Sequence, residues 1–127
     1  MNHPIREVTT HHVANETEVR IFAAGQVSEV GANNSYVVGL VDDGAISKCL
    51  AAINFQNGHP GIVGRNGVTI EALLAICMDR LSAFQSGPYP SHYNEAAIDH
   101  LERAIESLKD RTRERLAVTE KPEVEPC

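Results

Sequence analysis

Tryptophan is absent, and aromatic residues make up only 5% of the 127-residue chain. With 43% hydrophobic content, this length suits one domain around one modest core. Cysteine is scarce too. Cys49, Cys77 and Cys127 are an odd set without metal-ligand spacing, and two of them, Cys49 and Cys77, fall on apolar faces. Both are expected as buried thiols in a reducing compartment. No apolar run approaches the ~20 residues that span a membrane. The N-terminus carries neither a basic leader nor an apolar signal segment, so the expected location is cytoplasmic. Basic residues are in deficit: 11 Lys and Arg against 17 Asp and Glu leave a formal net charge of -6. That excludes non-specific binding to long DNA or RNA. A small anion held by a local basic patch remains compatible. A chain of this size also gains stability by burying surface against a second copy.

What is present changes character along the chain. Residues 1–18 are polar and aperiodic and read as a flexible arm; His3, His11 and His12 are too loosely spaced, without Cys or carboxylate companions, to be taken as a metal site. Strand patterns follow over 19–57. Val19–Ala24 is strand-like, with Gly25 placed for a bulge before a continuation over 26–30. Ser35–Val41 is the clearest strand, and Asp43-Gly44 signals a tight hairpin turn. The next run, Ala45 to Gln56, places Cys49, Ala51, Ile53 and Phe55 on one face, although its Ala-rich part also suits a helix. Short loops between strands predict an antiparallel meander. The glycines of 57–67 lack phosphate-loop spacing and read as turns. Residues 118–127, with two prolines and three glutamates, read as a flexible tail.

From Thr69 the period becomes 3.6. Ile70, Leu73, Leu74, Cys77, Leu81 and Phe84 make one stripe, capped by Thr69 and closed by Gly87-Pro88. After the break, Ser91 caps a second helix striped by Ala97, Leu101, Ala104, Ile105 and Leu108. The predicted fold is α+β: an N-terminal antiparallel β-sheet and a C-terminal hairpin of two long helices, 69–85 and 91–117, in one domain over 19–117. The second helix is the longer, so its last turns need cover from the sheet or from another subunit.

Chemistry concentrates at few positions. Arg111, Arg113 and Arg115 form the densest basic cluster. Arginines four apart present two donor forks suited to a pyrophosphate, and a helix C-terminus also favours cations with no ligand at all. Phe84 suits core packing, or stacking of a purine beside the turn that Tyr89 and Tyr93 flank. Asn94 sits in the first turn of the second helix and can read a base edge or a hydroxyl. Arg65, in the loop before the first helix, suits either solvent exposure or ligand contact. Asn94 and Arg111 lie about 25 Å apart along one helix. One chain therefore cannot gather Phe84, Asn94, Arg111 and Arg115 around a small ligand, whereas two chains packed antiparallel can. No nucleophile motif accompanies Ser, His or Cys, and Glu95, Asp99, Glu102 and Glu106 read as a solvated acidic face. The protein is expected not to be an enzyme and to need no cofactor or metal.

The runs Asn66-Gly67-Val68-Thr69-Ile70-Glu71-Ala72-Leu73-Leu74, Asp79-Arg80-Leu81, Phe84-Gln85-Ser86-Gly87-Pro88-Tyr89 and Arg111-Thr112-Arg113-Glu114-Arg115 look like a helical hairpin widespread in small phage proteins. Joined to the strands, the chain resembles the first type of Thoeris anti-defence proteins. The resemblance implies a sponge acting in the cytoplasm of the infected bacterium. Such a protein captures a cyclic ADP-ribose isomer made by TIR-domain defence proteins and releases it intact. It implies assembly as a dimer or a trimer of dimers, and for some members cyclic di- or trinucleotides as further ligands. It also implies that the residue matching Phe84 stacks adenine, that the one matching Asn94 lines the pocket, and that those matching Arg111 and Arg115 hold phosphates. The rival expectation is a non-catalytic protein-interaction module that uses the hairpin as an oligomer seam.

Overall fold

The computed structural model describes residues 5–14, 18–25 and 27–118. The chain, read from its sequence as one domain over 19–117, divides into two compact units, Met1–Gly67 and Val68–Cys127.

The first unit is a four-stranded antiparallel meander in the order β1-β2-β3-β4, with strands Arg6–Val8, Val19–Ala24, Ser35–Asp42 and Ala45–Asn54. The expected hairpin turn forms: Asp42 pairs with Ala45, and Asp43 and Gly44 take positive φ angles of 49° and 78°, as a two-residue turn requires. The Ala-rich run stays extended through Asn54. Three expectations are corrected. The stretch read as an arm supplies β1, pinned by a bidentate pair in which Arg20 donates from Nε (2.8 Å) and Nη2 (2.6 Å) to the Glu7 carboxylate. The expected strand over 26–30 is not extended where it is described; Ser28 accepts from the Gly31 amide at 2.9 Å and closes a turn. The pattern of β4 is also broken by irregularities. Val38 pairs with Ala51 but Gly39 pairs with Cys49, so Leu50 is an extra residue. That bulge turns Cys49 to the face opposite Ala51 and Ile53.

Pairing register sorts the sheet's side chains. Phe22, Val37 and Ala52 share one face with Glu7, while Val8, Ile21, Val38 and Ala51 share the other. Both faces are apolar, the pattern of a sheet covered on two sides. Yet Ala23 is the one buried hydrophobic residue among the described residues.

The second unit is the hairpin. α1, a single turn at Pro60–Val63, precedes it in the first unit, and α2 (Ile70–Ser86) and α3 (His92–Val118) form it. The caps are those read from the sequence. Thr69 Oγ1 accepts from the Ala72 amide at 3.1 Å, and Ser91 Oγ accepts from the Tyr93 amide at 3.1 Å. Gln85 Oε1 ties the turn by accepting from the Ser91 amide at 2.8 Å. No residue of α2 or α3 is buried. The half-buried line of α2 is Leu74, Met78, Leu81 and Gln85, whereas Ile70, Cys77 and Phe84 are exposed. Seven residues are nearly two turns, so those three lie on a common line beside the packed one. The single stripe read from the sequence is thus an apolar arc wider than one partner helix covers. Cys49 and Cys77, expected to be buried, are both exposed thiols. No helix among the described residues is long and apolar enough to cross a membrane.

Candidate functional site

Two clusters stand at opposite ends of α3. At the hairpin turn, Phe84 is 44% exposed, Tyr89 82% and Tyr93 74%. The Arg80 guanidinium lies 5.1 Å from the Phe84 ring centroid, a cation–π contact that occupies one face of the ring and leaves the other for stacking. The His92 and Tyr93 rings are 4.0 Å apart. Asn94 is half-buried on the first turn of α3.

At the far end, the three arginines are not equivalent. Arg113 Nη1 donates to Asp110 Oδ1 at 2.6 Å and lies 3.7 Å from Glu106, so its charge is satisfied locally. Arg111 is exposed and Arg115 half-buried, and neither side chain has a hydrogen-bond or ion-pair partner among the described residues. The two that lie four apart, on one side of the helix, are the unpaired ones. α3 runs unbroken through its 27 residues, so Asn94 and Arg111 are held about 25 Å apart.

Between the helices lies an open groove of about 740 Å³. Glu71, Asp79, Glu102 and Glu106 line it, with Lys109 the one cation in its wall. Four carboxylates make this groove repel phosphate despite its size. Anion binding belongs to the arginine end instead. Among the described residues no three His, Cys, Asp or Glu side chains could hold a metal ion.

Arg65 lies in the first unit, in the loop over 56–67. It is exposed, and its Nη1 donates to Gln56 Oε1 at 3.3 Å.

The family described as "Acb2/Tad1, hairpin domain" matches residues 48–112, just over half of the chain. The chain belongs to the Acb2/Tad1 hairpin family. It is also 42% identical over 66 residues to "Thoeris anti-defense 1" of Bacillus phage SBSphiJ7, an alignment covering 52% of this chain and 46% of that relative. The chain thus matches about half the length of the curated relative. Arg65, Phe84, Tyr89, Asn94 and Arg111 fall inside the span of the Acb2/Tad1 hairpin, whereas Arg115 and strands β1 to β3 lie outside it.

Sequence reasoning passed over two contributors. Arg80 stands four residues before Phe84, a spacing that places a cation against the ring and is legible once Phe84 is under consideration. Gln56 gave no such signal, because its partners come from an aperiodic loop.

Proposed function

We propose that this protein is an anti-defence sponge of phage origin. It binds a cyclic ADP-ribose isomer produced by TIR-domain proteins and sequesters it without cleavage in the host cytoplasm. Cyclic di- or trinucleotides are further ligands of the same chemistry. Membership of the hairpin family and likeness to a protein named Thoeris anti-defense 1 support the role. The observation that carries the mechanism is the pairing pattern of α3: Arg113 is neutralised by Asp110 and Glu106, and Arg111 and Arg115 are left open.

In this reading Arg111 and Arg115 clamp the pyrophosphate with charge-assisted hydrogen bonds. Phe84 stacks the adenine on the face that Arg80 does not occupy, beside Tyr89, and Asn94 positions the nucleotide. Because α3 holds Asn94 about 25 Å from Arg111, each site takes its aromatic end from one copy and its arginine end from another. The active assembly is therefore at least a dimer, with a trimer of dimers as its larger form. Capture without turnover must match signal molecule for molecule, which calls for nanomolar binding, about -12 kcal/mol.

Titration calorimetry with the cyclic ADP-ribose isomer tests this. Tight binding near one ligand per chain is expected. Arg111→Ala should lose it by at least tenfold, and heat denaturation of the complex should release ligand of unchanged mass. The exposed line of Ile70, Cys77 and Phe84 favours a second reading, an interaction module for another protein. No heat with the isomer or with cyclic di- and trinucleotides would leave that reading in possession, and altered ligand mass would indicate an enzyme.

A further inference from the structure

Residues 56–67 leave β4 and return to it as a closed loop. Gly58 and Gly64 turn the chain with φ angles of +88° and +81°. Between them His59 caps the one turn of α1, its Nδ1 accepting from the Gly61 amide at 2.9 Å. Entry and exit are joined by two rungs. In the outer rung, the Asn57 amide donates to Asn66 Oδ1 at 2.8 Å, and Asn66 Nδ2 donates to the Asn57 carbonyl at 2.7 Å.

The inner rung is the Gln56 carboxamide. Its Nε2 donates to the carbonyls of Gly58 (3.2 Å) and Gly64 (2.9 Å). Its Oε1 accepts from the amides of Asn66 (2.9 Å) and Gly67 (3.3 Å) and from Arg65 Nη1 (3.3 Å). Both amide protons and the carbonyl oxygen are engaged, so every hydrogen-bonding group of this side chain is spent on one loop. Four of these bonds hold backbone. The fifth is different: it reaches the exposed guanidinium of Arg65 and leaves the rest of that fork open. A loop fixed so completely is a mount for what it displays.

We propose that Gln56 is a positioning residue for Arg65, holding the guanidinium of the free protein in the direction from which it meets a phosphate oxygen of the ligand. The proposal rests on the reading of Arg65 as a ligand contact. Its physical content is preorganisation. An unrestrained surface arginine gives up rotamer freedom on binding, and a tethered one has already given part of it up. Freeing Arg65 should then weaken binding about 3- to 10-fold.

Two measurements decide this. The first needs no ligand: side-chain nitrogen relaxation of the Arg65 Nε–H group, compared with that of the unpartnered Arg111. Arg65 should be the more rigid, and should become as mobile as Arg111 in Gln56→Met, an unbranched variant of similar length without hydrogen bonds. Equal mobility of the two arginines in the unaltered protein overturns the proposal, whether or not Gln56→Met folds. The second is calorimetry with the cyclic ADP-ribose isomer on the unaltered protein, Gln56→Met, Arg65→Ala and the double variant. Gln56→Met should weaken binding in the first background and add nothing once Arg65 is gone. An equal loss in both backgrounds would make Gln56 merely structural, and full affinity in Arg65→Ala would remove the contact it positions; either overturns the proposal. Failure of the unaltered protein to bind refutes the sponge reading instead, and the relaxation measurement still judges Gln56.

Discussion

A β-carbon on Gly67 would stand 2.3 Å from the Phe55 carbonyl carbon and 2.5 Å from the Gln56 nitrogen. Both are backbone atoms, so no side chain can swing aside. This glycine is required for closeness of approach rather than for an unusual φ. Gly67→Ala should destabilise the protein by about 1–3 kcal/mol, the usual range for overpacking, read as a lower urea midpoint. Gly31→Ala is the control. Gly31 has a positive φ of 85° but nothing within 4 Å of its would-be side chain, so its cost is conformational and smaller. The same distinction governs the arginines. Three residues of one type within five positions look interchangeable in sequence, and only side-chain geometry separates paired Arg113 from open Arg111 and Arg115.

At the scale of the element, β1 is three residues long and depends on one latch. Hydrogen bonds from Arg20 hold the Glu7 carboxyl below the usual carboxylate range. Partial burial pulls it the other way, and the charges of Arg20, His12 and His11 reinforce the lowering. The same pair raises Arg20 above the ordinary arginine value. A lowered carboxylate contributes stability that is complete above its unfolded pKa and is lost as pH falls through the folded value. The arginine contribution persists throughout that range, because it disappears only as pH rises through a value already above the arginine norm. β1 should therefore loosen on acidification below the ordinary carboxylate range, seen as amide exchange in Arg6–Val8 accelerating relative to the β3–β4 pair. Glu7→Gln should exchange faster at neutral pH and lose that pH dependence. Elements of this kind were the hardest to foresee. Asp43-Gly44, Thr69 and Ser91 act through their own backbone neighbourhood, so the turn and both caps were legible, as were the two long helices and the meander. β1 was not, because three residues show no period and the partners that hold it lie more than ten positions away. Bulges escape pattern reading for a related reason: one extra residue at Leu50 reverses the faces on which Cys49 and Ala51 lie. Cys77 was misplaced because an apolar arc names a face to be covered without naming what covers it. The arginine cluster was visible, whereas Gln56 was hidden in a loop that only folding brings together.

Taken whole, the described chain has apolar residues on both faces of its sheet, no buried residue in either long helix and Ala23 as its one buried hydrophobic residue. A lone chain built this way leaves much apolar surface in water, as an assembling protein does before assembly. If each ligand site draws Asn94 from one copy and Arg111 from the other, two defective proteins should repair each other. Asn94→Ala and Arg111→Ala, each inactive alone, should recover about a quarter of the capacity of the unaltered protein when unfolded and refolded together in equal amounts. Half of the resulting dimers are then mixed, and each mixed dimer holds one complete site. Calorimetry of the mixture reads this directly, and no recovery would place both residues in a single-chain site or in none. The unbroken course of α3 carries a last consequence. Between Asn94 and Arg111 the helix serves as a measuring rod: one inserted residue lengthens it by about 1.5 Å but swings everything beyond by about 100°. Seven inserted residues nearly restore the direction and displace the arginines by about 10 Å. Side chains along this stretch are free to drift, while its length is not.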